Sequence, residues 1–114
     1  MDTNIMIAVD FDGTLYDDDP KHFGVPRMEV INRLIELQKK GTRLVLWTCR
    51  GGSKLTEAVE WCKQYGLIFD AINEDLPEVK IKNYDKSSKL MVHLYLDDKA
   101  ISIKDFLERT KETI

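Results

Sequence analysis

The sequence has few of the features that mark secreted and membrane proteins. Its 114 residues include two cysteines, Cys49 and Cys62, which are too few for a disulfide framework and favour a reducing cytoplasm. No apolar run approaches the ~20 residues that a membrane helix requires, so we expect no membrane partner. The N-terminus has no basic region followed by a long apolar segment, so we expect no secretory signal.

An excess of charge of one sign is also lacking. With 17 basic and 20 acidic residues the net charge is −3, which gives no electrostatic argument for a nucleic-acid partner. Four lysines fall close enough together to allow a local basic patch, although a solvated surface is the more common use of such residues. They are Lys80, Lys82, Lys86 and Lys89. The consecutive acids at 17–19 are also most simply interpreted as a solvated surface.

What the sequence does contain is a regular alternation of apolar segments. Strands are predicted over residues 5–9, 44–47, 67–72 and 90–96. Helices are predicted over residues 26–40, 54–65 and 100–110. We expect Ser53 to cap the second helix, and the third helix to bury Ile101, Phe106 and Leu107. This order is typical of an α/β domain with a doubly wound, Rossmann-like parallel sheet in three layers. We expect one domain over residues 1–114, without a cap above its site.

Two acids directly follow the first apolar run. Residues 5–9 form an unbroken apolar segment, which suits a strand covered on both faces, and Asp10 and Asp12 come next. Open α/β sheets place ligands at the carboxyl ends of their strands. Two carboxylates in one small space repel each other unless a divalent cation or a proton intervenes. Gly13 then allows a sharp turn and close approach of the backbone to a ligand.

The segment Asp-Phe-Asp-Gly-Thr-Leu at residues 10–15 resembles the first motif of the haloacid-dehalogenase-like (HAD) phosphohydrolases. A bare Asp-x-Asp also occurs in glycosyltransferases and metal loops, but the whole segment after an N-terminal strand is far more specific. The resemblance implies an aspartyl-phosphate mechanism with Asp10 as nucleophile and Asp12 as general acid and base. It also implies Mg²⁺ as cofactor, with Asp12 contributing its main-chain carbonyl. The similarity extends best to the small capless members of the family.

Two further segments resemble family motifs at strand ends. Thr48 follows the second strand and matches the residue that hydrogen-bonds the phosphoryl group in the second motif. Asp97 and Asp98 follow the last strand and match the acidic fourth motif. The resemblance implies that Asp98 is a direct metal ligand, with Asp97 beside it or acting through water. The alternative for this acid pair is capping of the helix that follows.

The lysine of the family's third motif has no single match. In the capless members a lysine precedes the last strand, and Lys89 has that position here. Eight residues separate it from Asp97, up to ~26 Å if extended, so Lys89 reaches the site only if the chain still runs near the catalytic edge. Lys80 and Lys82 are the alternatives, and a site without such a lysine is the third possibility.

The remaining pocket candidates lie at strand ends. Gly13, Thr14 and Cys49 are expected to contact substrate, while Asn73 either lines the pocket or serves as a turn residue. Arg50 could clamp a phosphate or carboxylate bidentately, or else pair with a nearby acid. A thiol phosphatase needs an arginine six positions after its cysteine. Position 55, six after Cys49, is a leucine, so this class is rejected. His93, inside the last predicted strand, is expected to be a hydrogen-bonded structural residue.

The first functional hypothesis is a Mg²⁺-dependent phosphatase acting on phosphomonoesters, whether small molecules or macromolecules. The second is a non-catalytic module with the same fold that binds phosphate or a metal ion. A response-regulator receiver is a distant third, because its acid pair comes first in the chain and the pair at 97–98 comes last.

Overall fold

The computed structural model describes residues 5–17, 24–77, 92–100 and 102–111. These ranges contain four strands and three helices. In chain order they are β1 (Met6–Val9), α1 (Met28–Lys39), β2 (Arg43–Leu46), α2 (Gly52–Gln64), β3 (Ala71–Ile72), β4 (Leu94–Leu96) and α3 (Ile103–Thr110). The alternation of strands and helices confirms the predicted α/β class.

The four strands form one parallel sheet in the order β3-β2-β1-β4. Within it Val9 of β1 is in register with Leu46 of β2 and with Leu96 of β4. The strands therefore end side by side, and the residues that follow them emerge at one edge. The Asp10 N–H donates to the Leu96 carbonyl at 2.9 Å, which keeps the two outgoing chains together. This order is compatible with a Rossmann-like fold.

The central strand β1 is covered on both faces, as its unbroken apolar run predicts. Ile7 and Val9 pack into a core cluster formed with α1 and α2, to which Ile31, Leu34, Ala58, Trp61 and Cys62 contribute. Ala8 points to the opposite face and packs with Val45, Ala71 and Leu76. Successive residues of a strand face opposite sides, so one short segment joins two apolar layers.

The first two helices lie close to their predicted positions. Helix α1 begins after Arg27 and is followed by Gly41, whose φ of +105° suits the left-handed turn that ends many helices. Helix α2 begins at Gly52, so the expectation that Ser53 caps it is wrong. Gly51 is the N-cap instead, in an extended conformation with φ −137° and ψ 170°.

Two strands are shorter than predicted. The predicted strand over 67–72 contains only Ala71 and Ile72, because the residue before them uses its side chain in the pairing. The Asp70 carboxylate accepts the Leu44 N–H at 2.8 Å, while the Asp70 N–H donates to the Leu44 carbonyl at 2.8 Å. Of the last predicted strand, residues 94–96 are extended, and residues 90 and 91 lie outside the described ranges.

The expected burial of the last helix is wrong. Helix α3 begins after Ser102, whose hydroxyl accepts the Asp105 N–H at 3.0 Å. Its apolar residues Phe106 and Leu107 are 55% and 60% exposed, while Ile101 lies outside the described ranges. The apolar spacing correctly predicts a helix with an apolar face but does not indicate what covers that face. None of the described helices has the length and apolar character that a membrane span needs.

Candidate metal centre

Three carboxylates converge where β1 and β4 end. One oxygen each of Asp10, Asp97 and Asp98 lies within 4.8 Å of the others. The register of Val9 with Leu96 causes this convergence, because it brings the next residue of each strand to the same edge. Hard oxygen ligands at this spacing are the donor set that Mg²⁺ prefers. The structure thus brings together three of the four acids that the sequence predicts as ligands.

The electrostatics of Asp10 fit a site that binds a cation. Burial raises the pKa of its carboxyl to about 6. The charges of Asp97, Asp98 and Asp12 contribute to this raised pKa, while the hydrogen bond from Thr14 acts in the opposite direction. A divalent cation would remove this repulsion and keep Asp10 ionised at neutral pH.

Residues that follow β1 support the acids that follow β4 directly. Thr14 is buried, and its hydroxyl accepts the Asp98 N–H at 3.0 Å while donating to Oδ2 of Asp10 at 3.1 Å. Gly13 has a φ of +80°, and a Cβ atom there would lie 2.3 Å from Oδ2 of Asp98. The sequence predicts substrate contacts for Gly13 and Thr14. In the structure their observed contacts are to the acids, whose positions they fix.

The side chain of Asp12 lies outside the acid triad and belongs to a second cluster. Its carboxylate accepts hydrogen bonds from Arg50, with Nε at 3.0 Å from Oδ2 and Nη2 at 2.8 Å from Oδ1. The Tyr16 hydroxyl donates to the same carboxylate. The bond from Arg50 is the largest of the influences that lower the pKa of Asp12. A metal contact by Asp12 therefore depends on its main chain, as the family resemblance implies.

Arg50 is held on two sides. Its guanidinium carbon lies 5.0 Å from the centroid of the Phe11 ring, a cation–π distance, while its nitrogen atoms face Asp12. Pairing with a local acid, one of the two uses predicted for Arg50, is the arrangement observed. Tyr16 completes the group, and burial together with the Asp12 hydrogen bond raises its pKa to about 12.

Sequence reasoning missed Tyr16. A tyrosine four residues after an acid in a loop has no distinctive pattern, and its role depends on how the loop closes. The Arg27 N–H donates to the Leu15 carbonyl at 2.8 Å, and the Asp17 N–H donates to the Val25 carbonyl at 3.0 Å. These bonds turn the Tyr16 side chain toward Asp12. The position of Tyr16 thus depends on the pairing of residues 15–17 with residues 25–27, which the sequence pattern does not indicate.

Residues after β2 and β3 are joined by Asn73. Its side-chain oxygen accepts the Thr48 N–H at 2.7 Å, and its own N–H donates to the Leu46 carbonyl at 2.7 Å. Its φ of +52° is that of a left-handed turn residue. Asn73 therefore acts as a turn that positions Thr48. The Thr48 hydroxyl accepts the backbone N–H of Arg50 at 3.2 Å. Cys49, between them, is exposed and has a free thiol.

The sequence offers three lysines for the third-motif role. Lys80, Lys82 and Lys89 lie outside the described ranges. His93 is described, and its Nδ1 accepts the Met6 N–H at 2.9 Å, which confirms its predicted structural role.

Comparison with known proteins gives one informative match. No protein-family model matches the chain, and no curated protein matches it significantly. A solved structure of a conserved protein coded by a locus of Bacteroides thetaiotaomicron is 36% identical, with a TM-score of 0.75. The match covers 97% of this chain and 93% of that one.

Proposed function

We propose that this chain, which belongs to the same protein family as the conserved Bacteroides thetaiotaomicron protein, is a Mg²⁺-dependent phosphohydrolase acting on phosphomonoesters. The observation that carries the proposal is the convergence of Asp10, Asp97 and Asp98 within 4.8 Å at the carboxyl edge of a parallel sheet. The resemblance of residues 10–15 to the first HAD motif gives this acid site its expected chemistry.

Asp10 is the proposed nucleophile. One of its carboxylate oxygens attacks phosphorus, and the bond from phosphorus to the ester oxygen breaks, which leaves an aspartyl-phosphate. The hydrogen bond from Thr14 to Oδ2 of Asp10 fixes the rotation of the carboxylate. A Mg²⁺ ion held by Asp10 and Asp98, with Asp97 beside it or acting through water, would supply charge neutralisation at the phosphoryl oxygens.

Asp12 is the proposed general acid and base. It gives its proton to the departing alcohol oxygen and later removes a proton from the water that attacks the aspartyl-phosphate. That second attack releases inorganic phosphate and restores the Asp10 carboxylate. In the structure the Asp12 carboxylate accepts hydrogen bonds from Arg50 and Tyr16, so this role requires the pair with Arg50 to open.

Thr48 is the proposed phosphoryl-binding hydroxyl. Its hydroxyl oxygen accepts the backbone N–H of Arg50, so the hydroxyl proton can be donated to a phosphoryl oxygen. Lys89, or else Lys80 or Lys82, would neutralise the remaining charge, and all three lie outside the described ranges.

The finer architecture is part of the same proposal. The strand order requires the connection from β3 to β4 to run back past β2 and β1. If this connection has the usual right-handed sense, it would cross the face opposite α1 and α2, so the proposed architecture is a doubly wound, three-layer, cap-free single domain. An open site of this kind, in a cytoplasmic protein, would admit macromolecular as well as small phosphomonoesters.

A non-catalytic metal- or phosphate-binding module is the second candidate. The ion pair between Asp12 and Arg50 favours it, because both oxygens of the proposed general acid are occupied and its pKa is lowered. Such a module would bind Mg²⁺ through the acid triad without hydrolysing esters.

Hydrolysis of p-nitrophenyl phosphate separates the two candidates. The wild-type protein and Asp10→Asn are compared with Mg²⁺ and with a chelator. We expect release of p-nitrophenol only from the wild type with Mg²⁺. Equal rates in the two proteins would reject the phosphohydrolase, whereas Mg²⁺ binding without turnover of any screened ester would support the binding module.

A further inference from the structure

The guanidinium of Arg50 already holds a carboxylate in the described structure. Nε and Nη2 meet the Asp12 carboxylate at 3.0 and 2.8 Å, the paired geometry in which arginine recognises planar anions. The Phe11 ring, 5.0 Å from the guanidinium carbon, supports the group from one side. The side chain of Arg50 is 19% exposed and that of Asp12 is 42% exposed, so solvent reaches the pair.

This pairing conflicts with the role proposed for Asp12. Both oxygens of the Asp12 carboxylate accept hydrogen bonds from Arg50, and one also accepts from Tyr16, so the pair must open before Asp12 can turn toward a leaving group. A substrate carboxylate could form the same paired hydrogen bonds with Arg50, so the exchange of one carboxylate for another replaces the bonds that it breaks. The contact with Phe11 and a hydrogen bond from Nη1 to the Lys54 carbonyl at 3.5 Å keep the arginine in place during the exchange.

We propose that Arg50 forms an anion subsite that accepts a carboxylate of the substrate in place of Asp12, and thereby releases Asp12 toward the leaving group. The inference rests on the proposed phosphohydrolase function and names its substrate class, which is phosphomonoesters with a carboxylate near the scissile bond. The planar fork that holds Asp12 fits a second carboxylate of the same shape. A neutral group in that position would leave the ion pair closed.

The test compares phosphoglycolate with its carboxamide, which has nearly the same shape but no second negative charge. Wild type is expected to prefer phosphoglycolate by about tenfold or more in kcat/KM, as expected for a charge-assisted hydrogen bond. Arg50→Gln is expected to lose most of that preference, whereas Arg33→Gln, which removes an exposed charge on α1, should keep it. Affinities of the same two esters for Asp10→Asn with Mg²⁺, with and without Arg50→Gln, measure binding separately from turnover.

The possible results distinguish the two proposals. Turnover without a preference, or with a preference that survives Arg50→Gln, overturns the anion subsite and leaves the phosphohydrolase standing. An Arg50-dependent binding preference without turnover supports the subsite and rejects the phosphohydrolase. Absence of both preference and turnover overturns both.

Discussion

Gly13 and Asp98 lie so close together that a Cβ atom on Gly13 would lie 2.3 Å from Oδ2 of Asp98. The backbone of the first motif is therefore the surface against which the acid of the last motif rests. Hydrogen bonds of Thr14 to Asp10 and to the Asp98 N–H complete this connection. The acid triad depends on these contacts as well as on the sheet that carries it.

Replacement of Gly13 should damage both the fold and the site. Gly13→Ala combines a φ of +80° with the clash against Asp98, so we expect a loss of about 1–3 kcal/mol in unfolding free energy and weaker Mg²⁺ binding. Gly52→Ala is the matched control, because φ is +55° there and no atom lies within 4 Å of the added Cβ. Urea unfolding of both variants separates backbone strain from the clash. Equal losses, with Mg²⁺ binding intact, would show that the contact with Asp98 is unimportant.

Loss of the Thr14 hydroxyl should be felt at both acids. Thr14→Val removes the acceptor of the Asp98 N–H in a partly buried hydrogen bond and should cost about 0.5–1.5 kcal/mol in unfolding free energy. The pKa of Asp10 should rise above about 6, because the hydrogen bond from Thr14 lowers it. Thr14→Ser keeps the hydroxyl and serves as the control. Carbon-detected NMR titration of Asp10 measures the shift, and an unchanged titration in Thr14→Val would contradict the assigned bond.

Titration of Asp10 should make the unfolding free energy depend on pH. Its pKa in the folded protein, about 6, lies above the ordinary value of 3.8, so the folded state keeps a proton that the unfolded chain has lost. The contribution of Asp10 to unfolding free energy should therefore decline as the pH rises from about 4 to about 6 without Mg²⁺. In Asp10→Asn this decline should be absent, and the metal-free variant should exceed wild type in stability at neutral pH. Denaturant titrations across that range measure the difference, and parallel curves would reject the raised pKa.

Mg²⁺ should reverse that instability by binding the folded state. At about a hundredfold excess over Kd, a ligand specific for the folded protein adds about 3 kcal/mol to unfolding free energy. Asp98→Asn should abolish most of this effect, while Asp105→Asn on the exposed helix α3 should not. Thermal unfolding with Mg²⁺ and with a chelator provides the measurement. Equal stabilisation of Asp98→Asn and wild type would place the cation elsewhere.

The exposed face of α3 gives a test of the fold itself. Phe106 is 55% exposed, so Phe106→Ala should change the unfolding free energy by no more than about 0.5 kcal/mol. Phe11→Ala is the matched comparison, because Phe11 is fully buried and its truncation should cost about 3–5 kcal/mol. A loss for Phe106→Ala close to that of Phe11→Ala would mean that α3 is covered in solution.

The features that the sequence predicted well are those set by local pattern. An unbroken apolar run followed by acids is enough to place β1 and Asp10, because the residues that follow a doubly covered strand of a parallel sheet emerge at its carboxyl edge. The proximity of Asp98 follows once β4 is assigned beside β1. The ion pair of Asp12 with Arg50 could only be offered as one of two alternatives, since it depends on side-chain directions and on the closure of a loop. The exposure of Phe106 and Leu107 was missed because an amphipathic pattern carries no information about the surface that the helix meets.

The central claim is that Asp10 forms a covalent bond to the phosphoryl group. An aspartyl-phosphate can be reduced by borohydride to homoserine, which peptide mass spectrometry locates along the chain. We predict homoserine at the position of Asp10 when the wild-type protein is quenched during turnover with Mg²⁺, and none when the ester is omitted. Sustained Mg²⁺-dependent phosphate release with Asp10 unmodified under the same quench would contradict the account.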